Sequence, residues 1–149
     1  MTPGDRVRVF CTDTATRDLD TLLRHFSPDA SYHNVGTRAS VGHAAIRSAL
    51  AAQFDSFPGR YQYRLVHCFE AGDTVLTERV DILTAADGGE HHLPVMGVFQ
   101  VRGGLIVSWR DYWDSRLLTR MLRGEECSDL VPSVCDLDSP SAEYGQALM

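Results

Sequence analysis

Four runs of alternating apolar and polar residues, Tyr61 to Ala71, Thr74 to Ala85, His91 to Arg102 and Leu105 to Asp114, follow one another with almost no chain between them. Their connectors are Gly72-Asp73, Asp87-Gly88-Gly89 and Gly103-Gly104, whose residues tolerate the positive backbone angles of hairpin turns. Linkers this short leave no room for a crossover, so the strands must pair with their sequence neighbours as an antiparallel meander. Pro94 has no amide proton to donate, and the third run is therefore expected at an edge or a bulge.

Upstream the period is that of helices. Val7, Phe10 and Cys11, followed by Leu19, Leu22, Leu23 and Phe26 after a cap at Thr16, predict two helices or one broken helix. Ser27-Pro28-Asp29 interrupts this pattern, and Ala30 to Val35 reads as a short strand. Ile46, Leu50, Phe54 and Phe57 mark another helix between Gly42 and Pro58-Gly59, and Leu117, Leu118, Met121 and Leu122 a closing helix stopped at Gly124. Helices first and a curved antiparallel sheet second describe an α+β fold in which the helices cover one sheet face and leave space for a pocket. Residues 1 to 124 are expected to form one domain. Residues 125 to 149 are expected to be an acidic extension anchored by Leu130, Val131 and Val134, with the last dozen residues loosely held.

A chain of 149 residues is long enough for one sizeable core. Its net charge of −6 argues against a nucleic-acid groove or an anionic membrane surface, since both reward clustered cations. All 14 basic residues are Arg, which reads as the coding bias of a GC-rich genome. The N-terminus has no apolar leader core and no stretch approaches the length of a membrane span, so a cytoplasmic location is expected. Cys11, Cys68, Cys127 and Cys135 form no Cys-x-x-Cys pair and are expected to be reduced thiols. His91 and His92 are adjacent on a strand and point to opposite faces, so they cannot chelate one ion; no metal and no cofactor is expected.

Three charged residues stand among apolar ones. Thr77, Arg79, Asp81 and Leu83 share one face of their strand, opposite Glu78, Val80 and Ile82. On the last strand Leu105, Val107, Trp109, Asp111 and Trp113 form the apolar set. A buried carboxylate costs several kcal/mol unless it is paired. Alternation leaves open whether the Asp81 and Asp111 faces coincide. If they do, one Arg lies between two carboxylates that cannot both ionise cheaply, and a general acid stands beside a general base. The alternative is a structural ion pair that fixes strand register.

Thr77-Glu78-Arg79-Val80-Asp81, Gly97-Val98-Phe99-Gln100 and Trp109-Arg110-Asp111-Tyr112-Trp113-Asp114, with Tyr32-His33-Asn34 upstream, resemble the limonene-1,2-epoxide hydrolase family from about Leu19 to Gly124. That family belongs to the α+β domains similar to nuclear transport factor 2 and ketosteroid isomerase. The resemblance implies a cone-shaped, strongly curved, mixed six-stranded sheet with helices closing a deep pocket, and a homodimer formed through the sheet. It also implies a cofactor-independent, one-step hydrolysis of an apolar small-molecule epoxide. In that scheme Asp111 takes a proton from water, Asp81 protonates the departing oxygen, Arg79 bridges the two, and Tyr32 and Asn34 cradle the water. Leu83, Leu93, Val95, Trp113, Leu117 and Leu118 are the candidate pocket wall, and His33 and Trp113 depart from the family pattern in ways that would change pocket volume or polarity. Two rival functions remain: an epoxide-opening cyclase, in which an internal hydroxyl replaces water, and a non-catalytic binding domain.

Overall fold

A computed structural model describes residues 1–138 of the chain. Four α-helices and six strands follow one another among the described residues as α1 (Pro3–Asp13), α2 (Leu19–Leu23), β1 (Phe26–Asn34), β2 (Ser40–Val41), α3 (His43–Ser56), β3 (Tyr61–Ala71), β4 (Thr74–Thr84), β5 (Glu90–Arg102), β6 (Leu105–Tyr112) and α4 (Ser115–Leu122). The strands form one curved mixed sheet in the order β2-β1-β6-β5-β4-β3. The meander from β3 to β6 is antiparallel, as its turns dictate, with Gly103 and Gly104 at φ 58° and 78° in the last hairpin. β1 joins β6 in parallel, which the long connection between them, through α3 and the strands β3 to β5, permits.

Pro94 occupies a position that is neither simple edge nor bulge. β5 lies inside the sheet, but β6 pairs with it only from Met96 onward, so the missing amide proton costs that ladder nothing. Two register slips do shift the alternation. Gln100 pairs with Ser108 and Val101 with Ile106, leaving Val107 as the extra residue of a bulge. Ile106, fully buried, therefore joins Trp109 and Asp111 on the inner face, in place of the expected Leu105 and Val107. A second slip at Val66 turns that residue to the outer face.

α1 opens with a capping box in which the Thr2 hydroxyl accepts from the Asp5 amide and the Asp5 carboxylate accepts from the Thr2 amide. The helix lays Val7, Phe10 and Cys11 on the inner face of the sheet. The expected cap at Thr16 is instead Asp18, whose carboxylate accepts from the amides of Asp20 and Thr21. Thr16 belongs to a separate 3-10 turn, and Phe26 is a strand residue because β1 starts before Pro28. α3 buries Ile46, Leu50 and Phe54. Asp114, expected in the last strand, caps α4 through the Arg116 amide.

The end of α3 is held by one side chain. Arg17, with φ 59°, donates to the carbonyls of Phe54 and Phe57 at 2.7 Å each and to Gly59 at 3.2 Å. Replacing it with Ala removes these charge-assisted bonds at an expected cost of about 1.5–3 kcal/mol. Calorimetry should then record a midpoint lower by roughly 2–4 °C for each kcal/mol lost.

Part of the outer face of β3 and β4, around Val66, Val80 and Ile82, is covered by the chain itself. Val131, Val134 and Leu137, with Cys135, pack over Val66, Val80 and Ile82, and His92 Nδ1 donates to the Cys135 carbonyl at 2.9 Å. Leu130 is no anchor; it remains 53% exposed. The expected loose terminus falls, but for Asp138, outside the described residues. The four cysteines are free thiols. Among the described residues no helix is long and apolar enough to cross a membrane.

Candidate active site

Cross-strand pairing brings the charged residues together. One inner-face row runs Thr77, Gly97, Asp111, Asn34 across β4, β5, β6 and β1, and the next runs Val75, Phe99, Trp109, Tyr32. Arg79 and Asp81 follow Thr77 along β4, so the Asp81 and Asp111 faces are the same. Arg79 is 1% exposed. Its Nε and Nη2 donate to the two Asp81 oxygens at 2.7 and 3.1 Å, and its Nη1 and Nη2 donate to those of Asp111 at 2.9 and 2.5 Å. The guanidinium lies 4.0 Å from the centre of the Tyr63 ring, and Tyr63 sits opposite Asp81 on β3.

The two carboxylates are not equivalent. Trp109 Nε1 donates to Asp111 Oδ1 at 2.6 Å, so Asp111 accepts three hydrogen bonds and Asp81 two. Trp109 is held by stacking on Tyr32, with centroids 3.8 Å apart, and on Phe99. Burial pushes the Asp81 carboxyl up to about 6 against the pull of Arg79, with Asp111 adding repulsion. Burial also works against the charge on Arg79, but Asp111 and Asp81 outweigh it and raise its pKa. Asp81, the carboxyl with fewer donors, is thus the member of the triad placed to carry a proton as pH falls through about 6.

Arg79 reaches Asp111 only by passing over β5, and Gly97 is where it passes. A Cβ there would lie 2.7 Å from Thr77 Oγ1 and 3.0 Å from both Arg79 Nη1 and Asp111 Oδ1. Gly97→Ala is expected to displace the ion pair, and a reaction that depends on the pair would slow about 10²-fold, since a shift near 1 Å in positioned groups has that effect. Steady-state kinetics alongside circular dichroism would check it.

Both carboxylates open on a cavity of about 180 Å³. Tyr32 and Asn34 face it with them, and of the expected wall it is lined by Leu83, Leu93, Trp113 and Leu118. Arg79 holds the carboxylates from behind and does not line it. Three other expected residues are not part of this wall. Val95 is buried in the core, and Leu117 faces a different groove beside Pro94. His33 pairs with Arg110 on the opposite strand face from Tyr32 and contacts the Thr37 carbonyl at 2.7 Å. Trp113 does more than fill space: its Nε1 donates to Asn34 Oδ1 at 3.2 Å.

Gln53, Phe57, Tyr61 and Tyr63 complete the lining and escaped the sequence reading. Gln53 stands three residues after Leu50, a polar residue on the apolar stripe of its helix, and that was the available signal. Tyr61 and Tyr63 alternate on one strand face, but only the pairing of Tyr63 with Asp81 brings that face to the site. The cavity is thus more polar than expected. A larger space of about 610 Å³ between the start of β5 and the C-terminal segment lacks the triad; the chemistry, not the volume, identifies the site.

A family model of the SnoaL-like domain matches residues 7–109. The chain belongs to the SnoaL-like domain family. The matched stretch of this SnoaL-like protein includes Tyr32, Asn34, Arg79 and Asp81 and stops just short of Asp111. An LEH-like epoxide hydrolase from M. tuberculosis is 28% identical over 82% of this chain and 90% of its own, with a TM-score of 0.70. An NTF2-like protein from Burkholderia pseudomallei is 18% identical over 81% and 98% of the two chains, with a TM-score of 0.73. The epoxide hydrolase/cyclase-like enzyme SalBIII, associated with pyran ring formation in the polyether salinomycin, is 18% identical over 76% and 92%, with a TM-score of 0.69. These last two likenesses establish the NTF2-like fold.

Proposed function

We propose that this SnoaL-like protein is a cofactor-independent epoxide hydrolase of the limonene-1,2-epoxide hydrolase type. The observation that carries the reading is the unequal pair of carboxylates on one buried guanidinium, both facing one cavity. Water donates a proton to Asp111 as its oxygen attacks an epoxide carbon. The C–O bond breaks, and its oxygen takes the proton of Asp81 to give a vicinal diol. The enzyme is left with its proton on Asp111, and exchange with solvent returns it to Asp81. Each proton transfer contributes about 10²–10⁴-fold. A cavity below the roughly 300–1,000 Å³ of drug-sized sites points to a small epoxide.

Single turnover in heavy-oxygen water tests the mechanism. Label in the diol supports direct attack by water, whereas label in the protein with unlabelled diol overturns it. A cyclic ether as sole product from a hydroxy-epoxide would mean that an internal hydroxyl replaces water. Failure to convert any of a panel of terpenoid, cyclic, aryl and fatty epoxides, one of which binds tightly, would mean a binding domain.

We further propose a homodimer through the outer sheet face. Phe69, Leu76, Met96 and Tyr112, between 45% and 65% exposed, share the part of that face that the C-terminal segment leaves open. Light scattering should give twice the chain mass, and Leu76→Asp with Met96→Asp should give monomers.

A further inference from the structure

Tyr63, Tyr61 and Gln53, which the two-carboxylate scheme leaves unused, form a chain of hydrogen bonds along the cavity wall that ends on Tyr32. Gln53 Nε2 donates to Tyr32 Oη at 2.8 Å, and Asn34 Nδ2 donates to the same oxygen at 3.0 Å. A phenol oxygen has two lone pairs and one proton. Both lone pairs of Tyr32 are therefore occupied, and its proton is left to donate elsewhere. Tyr32 is 3% exposed and borders the cavity beside Asp111.

The amides that impose this orientation are themselves anchored. Asn34 Oδ1 accepts from Trp113 Nε1, which directs Nδ2 toward Tyr32. Gln53 Oε1 accepts from the Tyr61 hydroxyl at 2.5 Å, which directs Nε2 the same way. With its proton committed to Gln53, Tyr61 must accept from Tyr63 across their 2.8 Å contact. The chain is directional, from Tyr63 through Tyr61 and Gln53 to Tyr32.

We propose that Gln53 is a positioning residue: together with Asn34 it holds the Tyr32 hydroxyl as a donor into the cavity, where it orients the attacking oxygen. The proposal rests on the hydrolase reading above. A water molecule has two lone pairs and two protons. One lone pair accepts from Tyr32, one proton goes to Asp111, and the other lone pair is left aimed at the epoxide carbon. Orientation of this kind acts on the barrier rather than on binding, because the substrate is not the group being turned.

Gln53→Met keeps the approximate volume and deletes both bonds; Gln53→Glu keeps the shape and replaces the donor with an acceptor toward which the Tyr32 proton turns. Both variants are expected to lower kcat about 10- to 100-fold with KM within about threefold. Tyr61→Phe, which only releases the amide, should have a smaller effect in the same direction. In wild type the Gln53 side-chain amide protons should exchange slowly by nuclear magnetic resonance, with or without substrate, and Tyr61→Phe should accelerate that exchange. Unchanged kcat in Gln53→Met overturns the proposal, as does rapid exchange of the Gln53 amide in wild type. If wild type converts no epoxide but the amide is protected, the hydrolase reading fails alone and the donor orientation of Tyr32 stands.

Discussion

Replacing Asp81 with Asn is expected to lower epoxide turnover about 10²–10⁴-fold while the melting midpoint stays within a few degrees. The asymmetry follows from the charge of the site. With all three groups ionised, Arg79, Asp81 and Asp111 carry a net negative charge in a buried place; with a proton on Asp81 they are neutral. Asn reproduces the neutral state but has no proton to give a leaving oxygen. The wild-type pH profile should show the same group. Because the acid must be protonated and burial raises it to about 6, kcat/KM should fall as pH rises through that value. A wild-type profile flat above pH 6, or an Asp81→Asn variant of normal turnover, would take the acid role away from Asp81. For stability the sign runs the same way. The folded protein binds this proton more tightly than the unfolded chain, so the contribution is full below the ordinary carboxylate range and is lost as pH rises through about 6.

Arg79→Met is expected to have the largest effect on stability. It leaves Asp81 and Asp111, 6% and 2% exposed, without their shared cation. Breaking a buried ion pair from one side costs about 3–5 kcal/mol, which lowers the midpoint of a domain this size by roughly 10 °C. The deficit should depend on pH with a definite sign. Without Arg79 nothing opposes the burial that already raises the Asp81 carboxyl, so the variant is penalised as pH rises above the ordinary carboxylate range and recovers as Asp81 is protonated. Melting curves at pH 5 and pH 8 would show the gap from wild type narrowing at the lower pH. Adding Asp81→Asn should restore part of the loss. A midpoint unchanged at pH 8 would mean that the triad is not desolvated in solution.

These effects separate the catalytic reading from a purely structural ion pair. A structural pair would give Arg79→Met the same cost in stability but leave turnover unchanged in Asp81→Asn. It would place no cavity beside the carboxylates and give no reason for Tyr32 and Asn34 to share that cavity.

The alternation of β3 to β6 and their short glycine turns determined the meander, because linkers this short admit one pairing partner. The same alternation put Arg79 and Asp81 on one strand face, since successive side chains point to opposite sides. Local signals failed where the phase slipped: the bulge at Val107 exchanged Ile106 for its neighbours, and nothing in a period of two announces an inserted residue. Between Tyr32 and Asn34 the alternation holds: His33 lies on the opposite strand face, and its two neighbours border the cavity. Only the tertiary structure decided that Arg79 crosses β5 at a glycine to reach Asp111, and that Gln53, Tyr61 and Tyr63 close the same cavity. The Arg79–Asp111 contact joins residues 32 positions apart across three strands, and register between strands is set by packing of the whole inner face rather than by any segment alone.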